Sequence, residues 1–591
     1  MLRLPSLVQL LAGTAEEAII ILPLQGPEKT LRVKIIALPR WPSALDAKMT
    51  TFALAGDTLY MILDILGDER DYNSLFQCAL ASKCFTEHSL AVLYKLYNIS
   101  PVRSGGAEDE QLRFPRMTAT RGDVATWKWA LMWRSIVLST LNQTYLPYYT
   151  YIRYLDYDDL TGLLDAPGFT GKIIEDFFTP ELVEFLGPQY ETKGSKRLRS
   201  SKMLKGNSQV PIKLCSVQPS VLSEWLEHLP LLQTMTIWSG YALTHQAGER
   251  IHNHCPEFKQ LTIYGWNNGQ SRSAEDDSET FLRALRPDSL EYFEILSFSQ
   301  LGPRSIRALE TQSASLSELK LTSLTIETIA ELGSLPGLPE LKVLVLTDSS
   351  PVARTEEFYS VVTKVADWIR SCRALTRLEL RRFVDDPALL AQVLTDDKVR
   401  LSILYLEGYT MAGSHTFHEA LACQDALETL YLRGEPSESP TDNELLVQAI
   451  QQLNKLRQLE LKDISGWFTT DHVITLTPYL PHLERLWISG EHFSDDVWDA
   501  FLCLPKLQSL SIQAFSDFSA QGILDFISQL GPGNKGFSLS ILNALSDKNL
   551  AEEAQTVIRE TLKVSLDGSF DFGLWREEDY SENSYDRDQD D

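Results

Sequence analysis

One short stretch of this 591-residue chain carries side chains of the kinds that bind metal ions. His252, His254 and Cys255 lie within four residues of one another. Two imidazoles and a thiolate suit Zn²⁺, but a structural zinc site takes four ligands and no fourth is evident nearby. We therefore interpret these residues as structural and predict no metal site, while a hydrolase that uses this cluster stays as an alternative.

The other polar clusters lack the spacing of catalytic sites. His415 and His418 stand between a loop and a helix, and three aspartates lie close together in residues 156–159. No base, nucleophile or metal-ligand pattern accompanies them, so helix capping and solvation account for the aspartates. Residues 531–536 (GPGNKG) lack the spacing of a phosphate-binding loop and predict a turn. We predict that the protein is not an enzyme and has no cofactor.

Composition and charge narrow the class of protein. The hydrophobic share of 44% and the charged share of 23% are those of an ordinary globular chain. A net charge of −26 repels phosphate backbones and anionic lipid, so we expect neither a nucleic-acid nor a membrane partner. No apolar run approaches the roughly 18 residues of a membrane-spanning helix. Seven cysteines without a CxxC pair favour a reducing compartment, either the cytoplasm, the nucleus or both.

The N-terminal part of the chain changes character near Met49. Residues 1–48 contain several prolines and no sustained hydrophobic period, which predicts an irregular extension. We hypothesise that translation begins at Met49. From Asp57 to about Tyr97 apolar residues recur at helical spacing with polar breaks, which predicts three short helices in a domain over residues 49–100.

Three further segments separate or follow the patterned parts. Residues 101–190 are predicted to be a helical linker region with one helix near residues 127–141. Residues 191–211 contain a basic cluster at 193–205, which we interpret as a solvated linker, with a nuclear-localisation or phosphate-binding patch as the alternative. Residues 573–591 are acidic and predicted to be disordered.

A short repeat dominates the C-terminal two thirds of the chain. The pattern L-x-x-L-x-L, with occasional Ile, Met or Phe, recurs every 24 to 34 residues. Its eleven instances begin at Leu232, Phe258, Leu290, Leu316, Leu341, Leu375, Leu401, Leu427, Leu456, Leu483 and Leu507. Alternating leucines make a short strand whose leucines point into a core, and the rest of each period returns as a helix. We predict an α/β leucine-rich-repeat solenoid over residues 212–572, with a concave parallel sheet and outer helices.

The side chains between the leucines are expected on the concave face, where solenoids bind partners. The central positions are Thr236, Thr262, Glu294, Lys320, Val345, Glu379, Tyr405, Tyr431, Glu460, Trp487 and Ser511. Flanking positions add Arg377, Arg381, Arg433, Lys462 and Arg485. Because Tyr, Trp and Arg are enriched in interaction hot spots, we predict a substrate-binding surface at Tyr405, Tyr431, Arg433, Arg485 and Trp487. The alternative is that these aromatic side chains pack against an inserted loop or the acidic tail.

Two features of the sequence resemble known families. Cys255 and Cys372 each precede the first hydrophobic residue of a repeat by three positions, which resembles the cysteine-containing leucine-rich repeats found with F-box proteins. The segment Leu54–Phe85 resembles an F-box, with alanine at position 55 where the family has proline. Its matching residues are Leu54, Asp57, Leu59, Ile62, Leu63, Leu66, Leu75, Ser82, Lys83 and Phe85. Residues 127–164 are similar to the post-F-box region of F-box/leucine-rich-repeat proteins of filamentous fungi.

This resemblance implies the substrate-recognition subunit of a Skp-cullin-F-box ubiquitin ligase. In that family the F-box docks onto the Skp adaptor, and through it the cullin, while the repeats hold a protein substrate and the recruited enzyme performs catalysis. The implied adaptor-binding residues are Leu54, Leu59, Ile62, Leu63, Leu66, Leu75 and Phe85. The alternative is a leucine-rich-repeat interaction scaffold without a ligase role, whose N-terminal helices pack on the rest of the chain and cap the solenoid.

Overall fold

The fold is described from a computed structural model. It describes residues 9–12, 18–21, 56–69, 71–81, 83–96, 119–164, 168–182, 219–268, 273–349, 356–383, 387–544 and 550–574. Leu54, the alanine at position 55, the basic cluster 193–205 and the acidic tail beyond residue 574 lie outside these residues. None of the described helices combines the length and the apolar character needed to cross a membrane.

The chain divides into two compact units. The first comprises residues 1–236 and 253–258, and the second comprises residues 237–252 and 259–591. The division falls within a strand of the repeat region and not in the predicted linker 191–211. A strand that the repeat pattern did not reveal, Tyr154–Asp156, pairs with the start of that strand and so extends the first unit.

The first unit is mainly helical in its described part. Its helices are α1 Gly56–Asp68, α2 Tyr72–Ala81, α3 Lys83–Leu93, α4 Ala119–Thr140, α5 Tyr157–Leu164, α6 Lys172–Phe177 and α7 Pro219–Leu226. The three short helices predicted after Asp57 are confirmed as α1 to α3, and α4 begins eight residues before the predicted helix. Within residues 1–48, strands β1 Gln9–Ala12 and β2 Ala18–Ile21 form an antiparallel pair. An irregular extension was therefore the wrong prediction for these eight residues, because the two apolar runs pair with each other.

A parallel sheet of 14 strands follows the chain order, so that each strand is hydrogen-bonded to its sequence neighbours. The strands are β3 Tyr154–Asp156, β4 Thr234–Ser239, β5 Gln260–Gly265, β6 Tyr292–Ile295, β7 Glu318–Leu324, β8 Val343–Ser349, β9 Arg377–Arg381, β10 Ile403–Thr410, β11 Thr429–Glu435, β12 Gln458–Lys462, β13 Arg485–Ser494, β14 Ser509–Asp517, β15 Ser538–Ala544 and β16 Ser569–Leu574. This sequential α/β order is that of a repeat solenoid.

Helices alternate with these strands. They are α8 His245–His254, α9 Ala274–Ala284, α10 Pro303–Ala308, α11 Ile326–Leu332, α12 Glu356–Ser371, α13 Pro387–Leu394, α14 His415–Leu421, α15 Pro440–Gln451, α16 Thr470–Leu476, α17 Trp498–Phe501, α18 Ala520–Gln529 and α19 Glu552–Leu566. Their apolar sides are buried, as at Val365 and Ile369 of α12, which face the core that the strand leucines also fill.

Strand alternation explains how the repeat separates core from surface. In β10, Leu404 and Leu406 are buried while Tyr405 between them is half-buried and lies on the opposite side of the sheet. Burying a leucine contributes about 1.5–3 kcal/mol, and the repeat supplies such residues in every strand. We call the side that carries the central positions the open face. The registers of β5 to β14 align those positions from Thr262 to Ser511 as the sequence predicted.

The repeat pattern did not predict three of the strands, because in each of them another residue occupies one of the leucine positions. The motif of β3 ends in Tyr157 where other repeats have an aliphatic residue. Those of β15 and β16 begin at Gly536 and Asp567, whose φ angles of 83° and 56° lie in the left-handed region. The segment predicted as a helical linker over residues 101–190 therefore contributes a strand to the sheet.

Candidate functional site

The leucines of the F-box-like segment form the interior of a small helical unit. Leu59, Leu63 and Leu66 of α1 pack with Leu75 of α2 and Val92 of α3 in one buried cluster. An apolar stripe at i, i+3, i+4 and i+7 faces a single direction, and here that direction is the neighbouring helices. The structure thus places four of the predicted adaptor-binding residues inside the unit and not on its surface.

The remaining predicted adaptor-binding residues are less buried. Ile62 and Phe85 are partly exposed, and Phe85 packs against the edge of the buried cluster. Leu54 lies outside the described residues. The structure therefore leaves at most part of the predicted set accessible to a partner.

A different set of apolar side chains is exposed on the same helices. Met61 and Ile65 of α1 are 65% and 55% exposed, and Phe76 and Leu80 of α2 are 49% and 67% exposed. Each pair is spaced i, i+4 and lies on one side of its helix. Large apolar residues grouped on a surface mark sites of protein interaction. The helical spacing of apolar residues in the sequence indicated the buried stripe, and these four exposed residues do not belong to that spacing.

Polar contacts link α1 to the residues after α3, those residues to α4, and α4 to α5. The Lys95 ammonium lies 3.1 Å from the Asp64 carboxylate, and the Tyr94 and Ser135 hydroxyls are 2.8 Å apart. Asp159 is buried and accepts hydrogen bonds of 2.9 Å from the indoles of Trp129 and Trp133. Helix capping and solvation were therefore the wrong explanation for Asp159, which is a buried acceptor.

The second candidate surface lies on the open face of the repeats. The register places Glu379, Tyr405, Tyr431, Glu460 and Trp487 side by side on β9 to β13. These strands belong to the second unit. The structure thus brings the three predicted aromatic residues into one row across the sheet.

Cations from the flanking row lie over the aromatic rings of this row. The rings of Tyr405 and Tyr431 are stacked, Arg381 lies 4.7 Å from the Tyr405 ring centroid, and Lys462 lies 5.2 Å from that of Tyr431 and 5.5 Å from that of Trp487. Each cation–π contact contributes about 0.5–1 kcal/mol at an exposed site. Burial and the neighbouring Tyr431 raise the pKa of Tyr405, so the Tyr405 hydroxyl stays neutral. We call Arg381, Tyr405, Tyr431, Lys462 and Trp487 the aromatic ladder.

The buried carboxylate of Glu379 binds Arg381 at one end of the aromatic ladder. Glu379 is only 2% exposed, and its two oxygens accept hydrogen bonds of 2.6 Å from Arg377 and Arg381. Two guanidinium groups therefore share one carboxylate. The sequence indicated Arg381 and Lys462 only as flanking residues, because cation–π contacts depend on rotamers that a spacing pattern does not contain.

The two predicted arginines lie on opposite sides of the central row. Arg433 donates to Asp463 at 3.2 Å and lies 3.6 Å from Glu407. Arg485 is exposed and, within the described ranges, has no ion pair. All five predicted substrate-binding residues therefore lie on one face of neighbouring strands, and Arg485 is the one whose charge is available.

A small cavity lies beside the aromatic ladder at the carboxyl ends of β12, β13 and β14. Its volume is about 260 Å³. It is lined by Pro436, Asp463, Gly466, Ser489, Gly490, Gln513, Ala514 and Phe515. Mostly small residues form this wall, so the cavity can take part of a side chain from a bound peptide.

The histidine pair 415/418 belongs to a structural network. His418 is buried, its Nε2 lies 3.0 Å from the Tyr409 hydroxyl, and burial lowers its pKa to about 4. His415 Nε2 lies 2.6 Å from a carboxylate oxygen of Asp442, which also accepts a hydrogen bond from Ser437. The His418 contact ties α14 to β10, and the His415 contact ties α14 to the start of α15.

The side chains of the His252–Cys255 stretch differ in burial. Cys255 is buried, its thiol donates to the Leu226 carbonyl at 3.4 Å, and burial raises its pKa to about 12. His252 and His254 are exposed. A thiol in this environment stays protonated, and it is the thiolate that binds metal. Within the described part of the chain, no group of three or more His, Cys, Asp or Glu residues could hold a metal ion.

Comparison with known proteins gives little further information. No protein-family model matches the chain, and no curated protein is significantly similar to it. One similar solved structure is the complex of Rad7 and Elc1 from yeast, with 19% identity over 50% of this chain and 73% of that chain, and a TM-score of 0.35. A likeness of this size carries no argument about the function of the present chain.

Proposed function

We propose that the protein is the substrate-recognition subunit of a Skp-cullin-F-box ubiquitin ligase. In this proposal helices α1 to α3 form the F-box that docks onto the Skp adaptor and, through it, the cullin. The open face of the repeats holds a protein substrate, and the recruited enzyme performs the chemistry. The chain itself is then a noncatalytic receptor.

The observation that carries the adaptor contact is the exposed apolar set Met61, Ile65, Phe76 and Leu80. Helices α1 to α3 have their own buried cluster, so these four side chains are not needed to complete it. Their exposure costs free energy in water, and a partner surface that covers them would recover it. We therefore assign the contact to these side chains and the support beneath them to the buried leucines.

The open face supports the substrate contact. Tyr431 is held between Tyr405 and Lys462, and Trp487 lies beside Lys462, which limits the side-chain entropy that binding would cost. Arg433 and Arg485 on either side of the row add donors for carboxylate or carbonyl groups. Large aromatic residues beside arginines are the composition of interaction hot spots.

One observation favours the second candidate, a repeat scaffold without a ligase role. Leu59, Leu63, Leu66 and Leu75 are already packed, so the helices need no adaptor to bury them. A stable helical unit of this kind can serve as an N-terminal cap, which solenoids require. The two candidates differ in whether the exposed set on α1 and α2 binds a partner.

A pulldown of the purified chain with the Skp adaptor separates the two candidates. We expect the wild type to bind, and the pair Met61→Asp and Ile65→Asp to lose binding while keeping the thermal midpoint. Val557→Asp and Val564→Asp on α19 make the same change at exposed apolar positions elsewhere and should keep adaptor binding. If the wild type does not bind the adaptor, the scaffold is the correct function.

We further propose that the protein works in the cytoplasm, the nucleus or both. The cysteines that the structure describes, Cys78, Cys255, Cys372, Cys423 and Cys503, are free thiols. Free thiols persist in reducing compartments. Microscopy of the tagged chain tests this location, and a signal confined to the secretory pathway would contradict it.

A further inference from the structure

We propose that the aromatic ladder binds an acidic, tyrosine-bearing peptide, and that residues 575–591 of this same chain are that peptide. Bound in cis, they compete with substrate for the open face. The competition rests on the proposed substrate role of this face, whereas the contact itself does not.

The open face carries a local excess of positive charge. The three outward rows of β9 to β13 contain five cations against three carboxylates, in a chain whose net charge is −26. The cations are Arg377, Arg381, Arg433, Lys462 and Arg485, and the carboxylates are Glu379, Glu407 and Glu460. A cationic surface on an acidic protein selects acidic partners through electrostatic complementarity.

The internal ion pairs leave part of this charge available. Glu379 is shared by Arg377 and Arg381, and Lys462 lies 3.0 Å from Glu460. Arg485 has no such pair among the described residues. An acidic peptide would supply a carboxylate to Arg485 and a second one to the two arginines that share Glu379.

The tail has a composition that complements this surface. Residues 575–591 (WREEDYSENSYDRDQDD) contain eight acidic and two basic residues, together with Trp575, Tyr580 and Tyr585. Acidic side chains match the cations of the open face. Aromatic rings of the tail can stack beside Trp487 or enter the cavity at the ends of β12 to β14, because aromatic pairs add about 0.5–1.5 kcal/mol beyond the area they bury.

The tail is long enough to span the distance from the end of β16 to the aromatic ladder. Strand β16 ends at Leu574 and is parallel to its neighbour, so its carboxyl end lies at the same edge of the sheet as the cavity. With strands about 4.8 Å apart, β13 is about 14 Å and β9 about 34 Å from β16 along the sheet. Seventeen residues span up to about 58 Å when extended, which is enough to cross the whole aromatic ladder.

The test uses a fluorescein-labelled synthetic peptide of residues 575–591 and measures its anisotropy with the full chain. One variant of the full chain has the eight tail carboxylates replaced by amides, Glu→Gln and Asp→Asn. We expect the peptide to bind this variant at least about tenfold more tightly than wild type, since a tethered tail competes at an effective concentration in the millimolar range. Raising the salt concentration should weaken the binding, because the charges are exposed.

Substitutions within the ladder locate the contact. Trp487→Ala or Arg485→Glu in the tail variant should weaken peptide binding at least about fivefold, as expected for loss of one hot-spot contact. Lys364→Glu on α12 makes the same charge reversal at an exposed position of an outer helix and should leave binding unchanged.

Every outcome decides the proposal. Equal binding to wild type and tail variant overturns the contact in cis, even if the peptide then proves to be an external ligand. Binding that ignores Trp487→Ala and Arg485→Glu overturns the assignment to the ladder. Adaptor pulldown with the same variants reports on the proposed ligase role separately, because none of these changes touches α1 or α2.

Discussion

The ring of Tyr405 lies flat against the ring of Tyr431, with centroids 3.8 Å apart and planes 4° apart. The two residues are paired directly across β10 and β11, so the spacing of parallel strands holds the rings in contact. Arg381 and Lys462 cover the two ends of this pair. The open face therefore presents a preorganised aromatic surface, and its order does not depend on a ligand.

A double-mutant cycle on Tyr405→Leu and Tyr431→Leu measures this contact. We expect a coupling of about 0.5–1.5 kcal/mol in the free energy of unfolding by urea, because stacked aromatic pairs gain that much beyond burial. The control cycle pairs Tyr405→Leu with Tyr359→Leu on α12, which is far enough away for additive effects. Additivity in both cycles would show that the stacking adds nothing to stability.

The interior and the surface of helix α1 should respond differently to substitution. Leu63→Ala removes a side chain that is 1% exposed and should lower the free energy of unfolding of the helical unit by about 2–5 kcal/mol. Met61→Ala removes a largely exposed side chain and should change it by less than about 0.5 kcal/mol. Urea denaturation followed by circular dichroism measures both. A large loss for Met61→Ala would mean that the exposed set has a structural role.

Positions 61 and 63 of α1 also show what the sequence pattern could not predict. The stripe Leu59, Ile62, Leu63 and Leu66 predicts a buried face but does not contain the identity of what covers it, since a partner and a neighbouring helix require the same pattern. The repeat strands were predictable because period-2 alternation determines both faces at once. Repeats with a glycine, aspartate or tyrosine at a leucine position went unrecognised for the same reason, as the pattern depends on those leucines.

Asp159 should be essential to the packing of α4 on α5. Asp159→Ala removes the acceptor of two indole N–H groups and should lower the free energy of unfolding by about 2–4 kcal/mol, because each buried donor left unpaired costs about 1–3 kcal/mol. Asp159→Asn keeps an acceptor oxygen at the same place and should cost clearly less. Urea denaturation of the full chain measures both variants, and equal losses would contradict the hydrogen-bond explanation.

The cysteines should differ in reactivity according to burial. Cys423 and Cys503 are exposed, whereas Cys255 and Cys372 are buried and burial raises the pKa of both buried thiols. Since the thiolate is the reactive form, iodoacetamide at pH 8 should modify the exposed pair first and the buried pair only after unfolding. Peptide mass spectrometry measures the order, with urea-unfolded protein as the control. Rapid modification of Cys255 in the folded chain would contradict its placement.

His418 should make the stability of the repeats depend on pH. Burial lowers its pKa from 6.5 to about 4 in the folded protein, so the unfolded chain takes up the proton first as the pH falls. The contribution of His418 to the free energy of unfolding is therefore fully present above pH 6.5. It decreases by on the order of 3 kcal/mol as the pH falls to about 4. Urea denaturation between pH 7 and pH 4 measures this loss. His418→Gln should remove this part of the pH dependence. The control variant His252→Gln, at an exposed position, should retain it. Identical pH profiles for the two variants would show that another group titrates in this range.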